Sequence, residues 1–266
     1  MLIIIAIILG IVEGLTEFLP VSSTGHLILA GHALGFTGLR ADTFEVFIQL
    51  GAILAVIWLY RERFIKLLQI RKTTGFQGQR GIKLLALTSL PALIAGAALH
   101  GFIKEHLFQP TTVAIGLAVG GVALILVEKF IFQKHKPKTL SLDNLTFKQA
   151  LQIGLFQLLA LWPGVSRSAS TIIGGMLGGT DRKTAVEYSF LVAVPVLVAA
   201  GGFDLLTSLS DLHTADIPLF ATGFVVAFVS ALFAIKYFVK LVQRYTFTPF
   251  GWYRIVLAGL VLLLIR

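Results

Sequence analysis

The chain has 266 residues, 56% of them hydrophobic and 13% charged, where an ordinary soluble domain carries about 25% charged residues. That deficit and a mean hydropathy of +0.89 exclude a soluble enzyme, a disordered chain and a nucleic-acid-binding module, despite a net charge of +9. Cysteine is absent, so disulfides, thiolate metal sites and thiol redox chemistry are excluded as well.

The composition predicts an all-α integral membrane protein, a single polytopic domain over residues 1–266. Met1–Val12 is apolar but lacks the basic start of a signal peptide, and Glu13 and Glu17 stand where small cleavage-site residues belong. This segment is therefore expected to stay in the mature fold. Residues 1–40 and 146–180 are apolar but interrupted, the first by Pro20-Val21-Ser22-Ser23-Thr24-Gly25-His26 and the second by Pro163-Gly164-Val165-Ser166-Arg167-Ser168. Proline removes a backbone donor and glycine loosens the chain, so each region reads as two half-helices with a polar tip. Irregular backbone at membrane depth survives only where protein or a wet cavity surrounds it. Both regions are expected to be re-entrant hairpins. Six further stretches, 43–60, 82–101, 111–133, 183–207, 218–240 and 250–266, are long and apolar enough to span about 30 Å of hydrocarbon.

Most cations fall in 61–83 (including Lys72), in 129–148 (including Lys134 and Lys136), at Arg182-Lys183, and at Lys236, Lys240, Arg244 and Arg254. The positive-inside rule puts these in the cytoplasm, and puts the turns near Lys104 and at Asp211-Leu212-His213-Thr214-Ala215-Asp216 outside. Traced from there, the hairpins enter from opposite faces and both termini are external. Pro20-Val21-Ser22-Ser23 also resembles Pro163-Gly164-Val165-Ser166, as the tips of an inverted-topology repeat would.

Glu13 and Glu17, at i and i+4, share one helical face. Two adjacent carboxylates inside a membrane oppose each other's ionisation, which suits general acid/base work or, with Mg²⁺ or Ca²⁺, a divalent-metal clamp. Ser22, Ser23, Thr24 and Gly25 open a half-helix whose free N–H groups can hold an anion. A serine there becomes a nucleophile if Glu17 or His26 takes its proton; helix capping is the plainer role for any one hydroxyl. Arg167, between Ser166 and Ser168, is the only arginine this topology puts at membrane depth. It needs an anionic partner, either the glutamate pair or a phosphorylated ligand. Together these groups suit hydrolysis of a phosphate ester or anhydride on an amphiphile.

Through Glu13–His26, Phe44–Ala52, Pro163–Ser168, Ser189-Phe190-Leu191 and Tyr253-Arg254-Ile255, the chain closely resembles the undecaprenyl-diphosphate phosphatases, the bacitracin-resistance family. The resemblance covers nearly the whole sequence. It implies release of the terminal phosphate of undecaprenyl diphosphate, giving the carrier lipid for peptidoglycan synthesis. It also implies six spans with two re-entrant hairpins in an inverted repeat, a bacterial inner-membrane location, divalent-cation support and a homodimer, while the charge trace, which puts the glutamate hairpin outside, adds a site opening to the external side. Glu13 and Glu17 then form the acidic motif and the metal ligands, Ser23 is the nucleophile, and His26 is an acid/base or alternative nucleophile. Arg167 is the phosphate clamp, with Ser22, Thr24, Gly25, Ser166 and Ser168 binding phosphate. Ala169 stands where the family usually has glycine, which bears on the amide geometry beside Arg167. The phosphatidic-acid phosphatase class also pairs Ser with Arg, but needs a histidine soon afterwards, and none follows Arg167 until His213. A lipid flippase or transporter with the same midplane site is the alternative function.

Overall fold

The computed structural model describes residues 1–71, 73–132, 137–207 and 214–265. Lys72, Lys134, Lys136 and Asp211-Leu212-His213, which entered the charge trace, lie outside the described residues. Among the described residues there are eleven α-helices and no strands. Five helical stretches, Leu39–Leu59, Gly78–Leu107, Pro110–Phe130, Arg182–Thr207 and Thr214–Val242, are long and apolar enough to cross a bilayer. The chain is an all-α, multi-pass membrane protein. The sixth expected span is a shorter apolar helix, Thr248–Leu264, of 17 residues.

Both interrupted regions are broken helices. The first comprises α1 (Leu2–Thr16) and α2 (Ser23–Ala33), the second α7 (Phe147–Gln157) and α8 (Arg167–Leu177). At 1.5 Å per residue each is at most about 23 Å long, too short to cross alone. Between them come α3 (Leu39–Leu59), α4 (Arg61–Leu67), α5 (Gly78–Phe102) and α6 (Pro110–Leu126); α9 (Arg182–Thr207), α10 (Ile217–Val242) and α11 (Thr248–Leu264) follow.

The two breaks share one backbone signature. Among the described residues, the only non-glycine positions with positive φ are Ser22 (69°) and Ser166 (75°), the residues just before α2 and α8. Such a conformation costs about 1–3 kcal/mol and persists only where its surroundings enforce it. Ser22 and Ser166 are 144 residues apart, and on that register Val21 matches Val165 and Pro20 matches Gly164. The likeness between the tips is therefore one residue out of step with the proline-on-proline pairing, because backbone conformation follows the Val-Ser step. Gly164 is itself at φ 91°, and a Cβ there would run into the Val113 carbonyl of α6. Ala169 lies inside α8, without positive φ, and its N–H donates to Ser166 Oγ at 3.2 Å. Glycine's freedom is not needed at that position.

Packing follows an exchange pattern: α1 lies on α10 as α7 lies on α5, α3 touches α10 as α9 touches α5, and α3–α9 and α6–α11 close the set. On the basic face, Asp143 accepts from the Phe76 N–H at 2.8 Å and from Arg63 at 3.1 Å, tying the loop after α4 to the segment before α7.

Candidate active site

The two breaks meet. Ser168 Oγ, in α8, donates to the Leu19 carbonyl of the first hairpin at 2.7 Å, and Arg167 Nη2 donates to Glu17 Oε1 at 3.2 Å. The other Glu17 oxygen accepts the Ser23 hydroxyl at 2.6 Å, with Gln49 Nε2 of α3 at 3.5 Å. Arg167 Nη1 reaches the Ser189 carbonyl at 2.9 Å and its hydroxyl at 3.2 Å, and Thr171 donates to that hydroxyl at 2.7 Å. The guanidinium carbon sits 5.9 Å from the Phe18 ring centre. Arg167 Nε is buried and has no acceptor.

Part of this constellation lines the polar end of a cavity of about 540 Å³. Glu17, Ser22, Ser23, Thr24, Ser166 and Arg167 form that end. The rest runs between α5 and α9, past Gly96, Ala97, Leu197, Ala200 and Phe203, with His100 and Asp204 also on its wall. Ser22 makes no side-chain cap on α2, so the first amides of that helix are open to a ligand, whereas Ser166 caps α8 itself. A polar pocket leading into an apolar slot matches a charged head on a hydrocarbon chain.

Not every expected residue reaches this cavity. Gly25 faces Leu117 of α6, and the Ser168 hydroxyl serves the Leu19 carbonyl. His26 is off the cavity wall: Nδ1 lies 2.7 Å from the Ser22 carbonyl and Nε2 lies 2.6 Å from Tyr253 Oη. Glu13 is buried, and neither of its oxygens has a partner. Glu17 is fully engaged, and among the described residues no three His, Asp or Glu gather into a metal cluster. The orphaned Glu13 carboxylate, one turn from Glu17, fits a cation that completes its shell with ligand oxygens, and does not fit an ion held by protein alone.

One expectation is overturned. Arg254 is not a cytoplasmic cation but a fully buried side chain of α11. It donates to five carbonyls: Leu117 at 3.3 Å, Pro20 at 3.3 Å, Gly116 at 3.2 Å, Gly164 at 2.9 Å and Val165 at 2.8 Å. Arg167 is therefore not the only buried arginine. The physical reason lies in the breaks, which strip the Pro20, Gly164 and Val165 carbonyls of helical donors; the guanidinium serves these in both hairpins at once while also reaching the Gly116 and Leu117 carbonyls of the continuous helix α6. Gln49 and Ser189 are further contributors that residue reading gave no role, although both lie in segments that carry the family resemblance. Their signal was modest, each being a polar side chain within an otherwise apolar span.

Residues 6–260 match the family profile of bacitracin resistance protein BacA. The undecaprenyl-diphosphatase of Nitratidesulfovibrio vulgaris (strain Hildenborough) is 59% identical over 258 residues, covering 97% of this chain and 96% of its own. That of Desulfovibrio desulfuricans is 59% identical over 256 residues, 96% of each chain. Undecaprenyl-diphosphatase 1 of Bacillus thuringiensis (strain Al Hakam) is 52% identical, again over 96% of each. With its motifs gathered at one cavity and its relatives matched end to end, the chain belongs to the bacitracin resistance protein BacA family.

Proposed function

We propose that this protein hydrolyses undecaprenyl diphosphate to undecaprenyl phosphate and inorganic phosphate, returning the carrier lipid to cell-wall synthesis and giving resistance to bacitracin. The observation that carries this reading is the Ser23–Glu17–Arg167 chain at the head of a slot shaped for a lipid tail. The names of the relatives agree with it.

In the reaction, the diphosphate lies between the first turn of α2 and Arg167, whose Nε–H and neighbouring amides hold phosphoryl oxygens. Ser23 Oγ attacks the terminal phosphorus in line with the bridging oxygen, and its proton passes to Glu17. The bond to the bridging oxygen breaks and undecaprenyl phosphate leaves. Water then attacks the phosphoserine, the Ser23 O–P bond breaks as Glu17 returns its proton to Ser23 Oγ, and inorganic phosphate departs as H₂PO₄⁻ with both water protons. Mg²⁺ or Ca²⁺ arriving with the diphosphate would take the unpartnered Glu13 carboxylate as its protein ligand and would supply neutralisation of phosphate charge. His26, with both nitrogens engaged, acts on the Ser22 turn rather than as the attacking group.

The finer architecture belongs to the same proposal: α3, α5, α6, α9, α10 and α11 cross the bacterial inner membrane, and two re-entrant hairpins relate as an inverted repeat. The matched strain at Ser22 and Ser166 and the exchange pattern of packing support it. Both termini are external. The cavity uses the C-terminal halves of α5 and α9, whose N-terminal ends carry Arg80, Lys83, Arg182 and Lys183, so it opens away from the basic, cytoplasmic face.

Phosphate release from C15 and C55 diphosphates by purified protein, with and without EDTA, tests the reading. Wild type is expected to release phosphate from both, EDTA to suppress it, added Mg²⁺ or Ca²⁺ to restore it, and Arg167→Ala to abolish it. Lipid transport by wild type without phosphate release would establish the flippase alternative instead.

A further inference from the structure

His26 and Tyr253 come from α2 and α11, 227 residues apart in sequence, and stack with ring centres 5.5 Å apart and planes 14° from parallel. The hydrogen bonds fix the tautomer. His26 Nδ1 faces the Ser22 carbonyl, which can only accept, so Nδ1 carries the proton in the neutral ring. Nε2 is then an acceptor, and the Tyr253 hydroxyl donates to it. The result is a one-way chain, Tyr253 O–H to His26 to Ser22 C=O, ending on the strained residue that precedes Ser23.

The second hairpin reproduces half of this device. On the 144-residue register, Ser170 occupies the place of His26, and its hydroxyl donates to the carbonyl of the equally strained Ser166 at 3.0 Å. In both hairpins the side chain four residues on bonds this carbonyl, and in the second the Ser170 N–H joins it at 3.1 Å. Only His26 has a second nitrogen, and only in the hairpin that carries Ser23 does another helix act on that side chain.

We propose that Tyr253 is a positioning residue for the reaction: through His26 it holds the Ser22 turn, and hence Ser23, at the angle needed for attack. Tyr253 is off the cavity wall and touches no reacting atom. The inference rests on the phosphatase reading for its effect on rate and on geometry alone for its effect on His26.

The test is Tyr253→Phe, which keeps the stacked ring and loses the hydroxyl, compared with His26→Ala and the double variant. Tyr253→Phe is expected to lower kcat about tenfold with KM and thermal midpoint unchanged, and His26→Ala to lower kcat further. The double variant is expected to be no slower than His26→Ala, since both act through one chain. Nitrogen-15 NMR of labelled histidine, with His26 assigned by its loss in His26→Ala, reads the same contact without turnover. Wild type should give the Nδ1–H form, and the bare Nε2 signal should move in Tyr253→Phe. Wild-type kcat in Tyr253→Phe, multiplying effects in the double variant, an Nε2–H tautomer, or an unmoved Nε2 signal would each overturn the proposal. If wild type released no phosphate, the phosphatase reading would fall, and the NMR comparison would still decide whether Tyr253 holds His26.

Discussion

A carboxylate that accepts a serine hydroxyl through one oxygen and a guanidinium through the other can take a proton without losing its place, and Glu17 is in that position. The geometry is demanding of Arg167, which reaches Glu17 and Ser189 through separate nitrogens while Nε stays free. A lysine offers a point charge in place of that fork. Arg167→Lys is therefore expected to lower kcat by about 100-fold or more, the scale for losing a transition-state donor, while the protein stays folded by circular dichroism; near-normal turnover would mean the fork is not used. Glu17, Ser23 and Arg167 were legible in sequence because polar and ionisable groups beside a helix break in an apolar chain are costly unless they face a cavity or one another. Arg254 was not, since a cation six residues into α11 and soon after Lys240 and Arg244 looks like the end of a cytoplasmic cluster. What buries it is a set of five carbonyls from three separate segments, and linear reading cannot assemble a partner made of backbone.

At the level of the helices, the breaks are set by steric detail as much as by side-chain chemistry. Gly164 combines φ 91° with contact against the Val113 carbonyl. Gly164→Ala should destabilise the protein by about 2 kcal/mol or more, through crowding and a strained backbone together, and thermal melts in detergent would register it; an unchanged midpoint would mean α6 yields easily. The existence of both broken hairpins could be read from Pro20, Pro163 and Gly164. Their relative register could not, because it depends on Ser22 and Ser166 sharing a conformation that serine rarely adopts. On the basic face, the Phe76 N–H first and Arg63 second hold the Asp143 carboxyl below the usual carboxylate range. A carboxyl depressed on folding contributes stability above its unfolded value, near about 3.9, and loses that contribution as pH falls through the folded value. Hydrogen exchange at the Phe76 amide should accelerate relative to neighbouring amides in Asp143→Asn at neutral pH, and in wild type only in strong acid. Equal protection in both proteins would remove Asp143 from the account.

Taken whole, the molecule brings two short, strained hairpins together inside a shell of longer helices, and the shared site exists only because both are present. Neither hairpin holds its half alone: Glu17 and Ser23 come from one, Arg167 from the other, and Arg254 grips carbonyls of both. The apolar slot between α5 and α9 adds room for a hydrocarbon tail beside the polar end. Rapid quenching of purified wild type with C55 diphosphate labelled in the terminal phosphate addresses this most directly. A burst of label on Ser23, absent in Ser23→Ala and strongly reduced in Arg167→Lys, is the predicted result; steady phosphate release with no labelled protein, undiminished in Ser23→Ala, would contradict it.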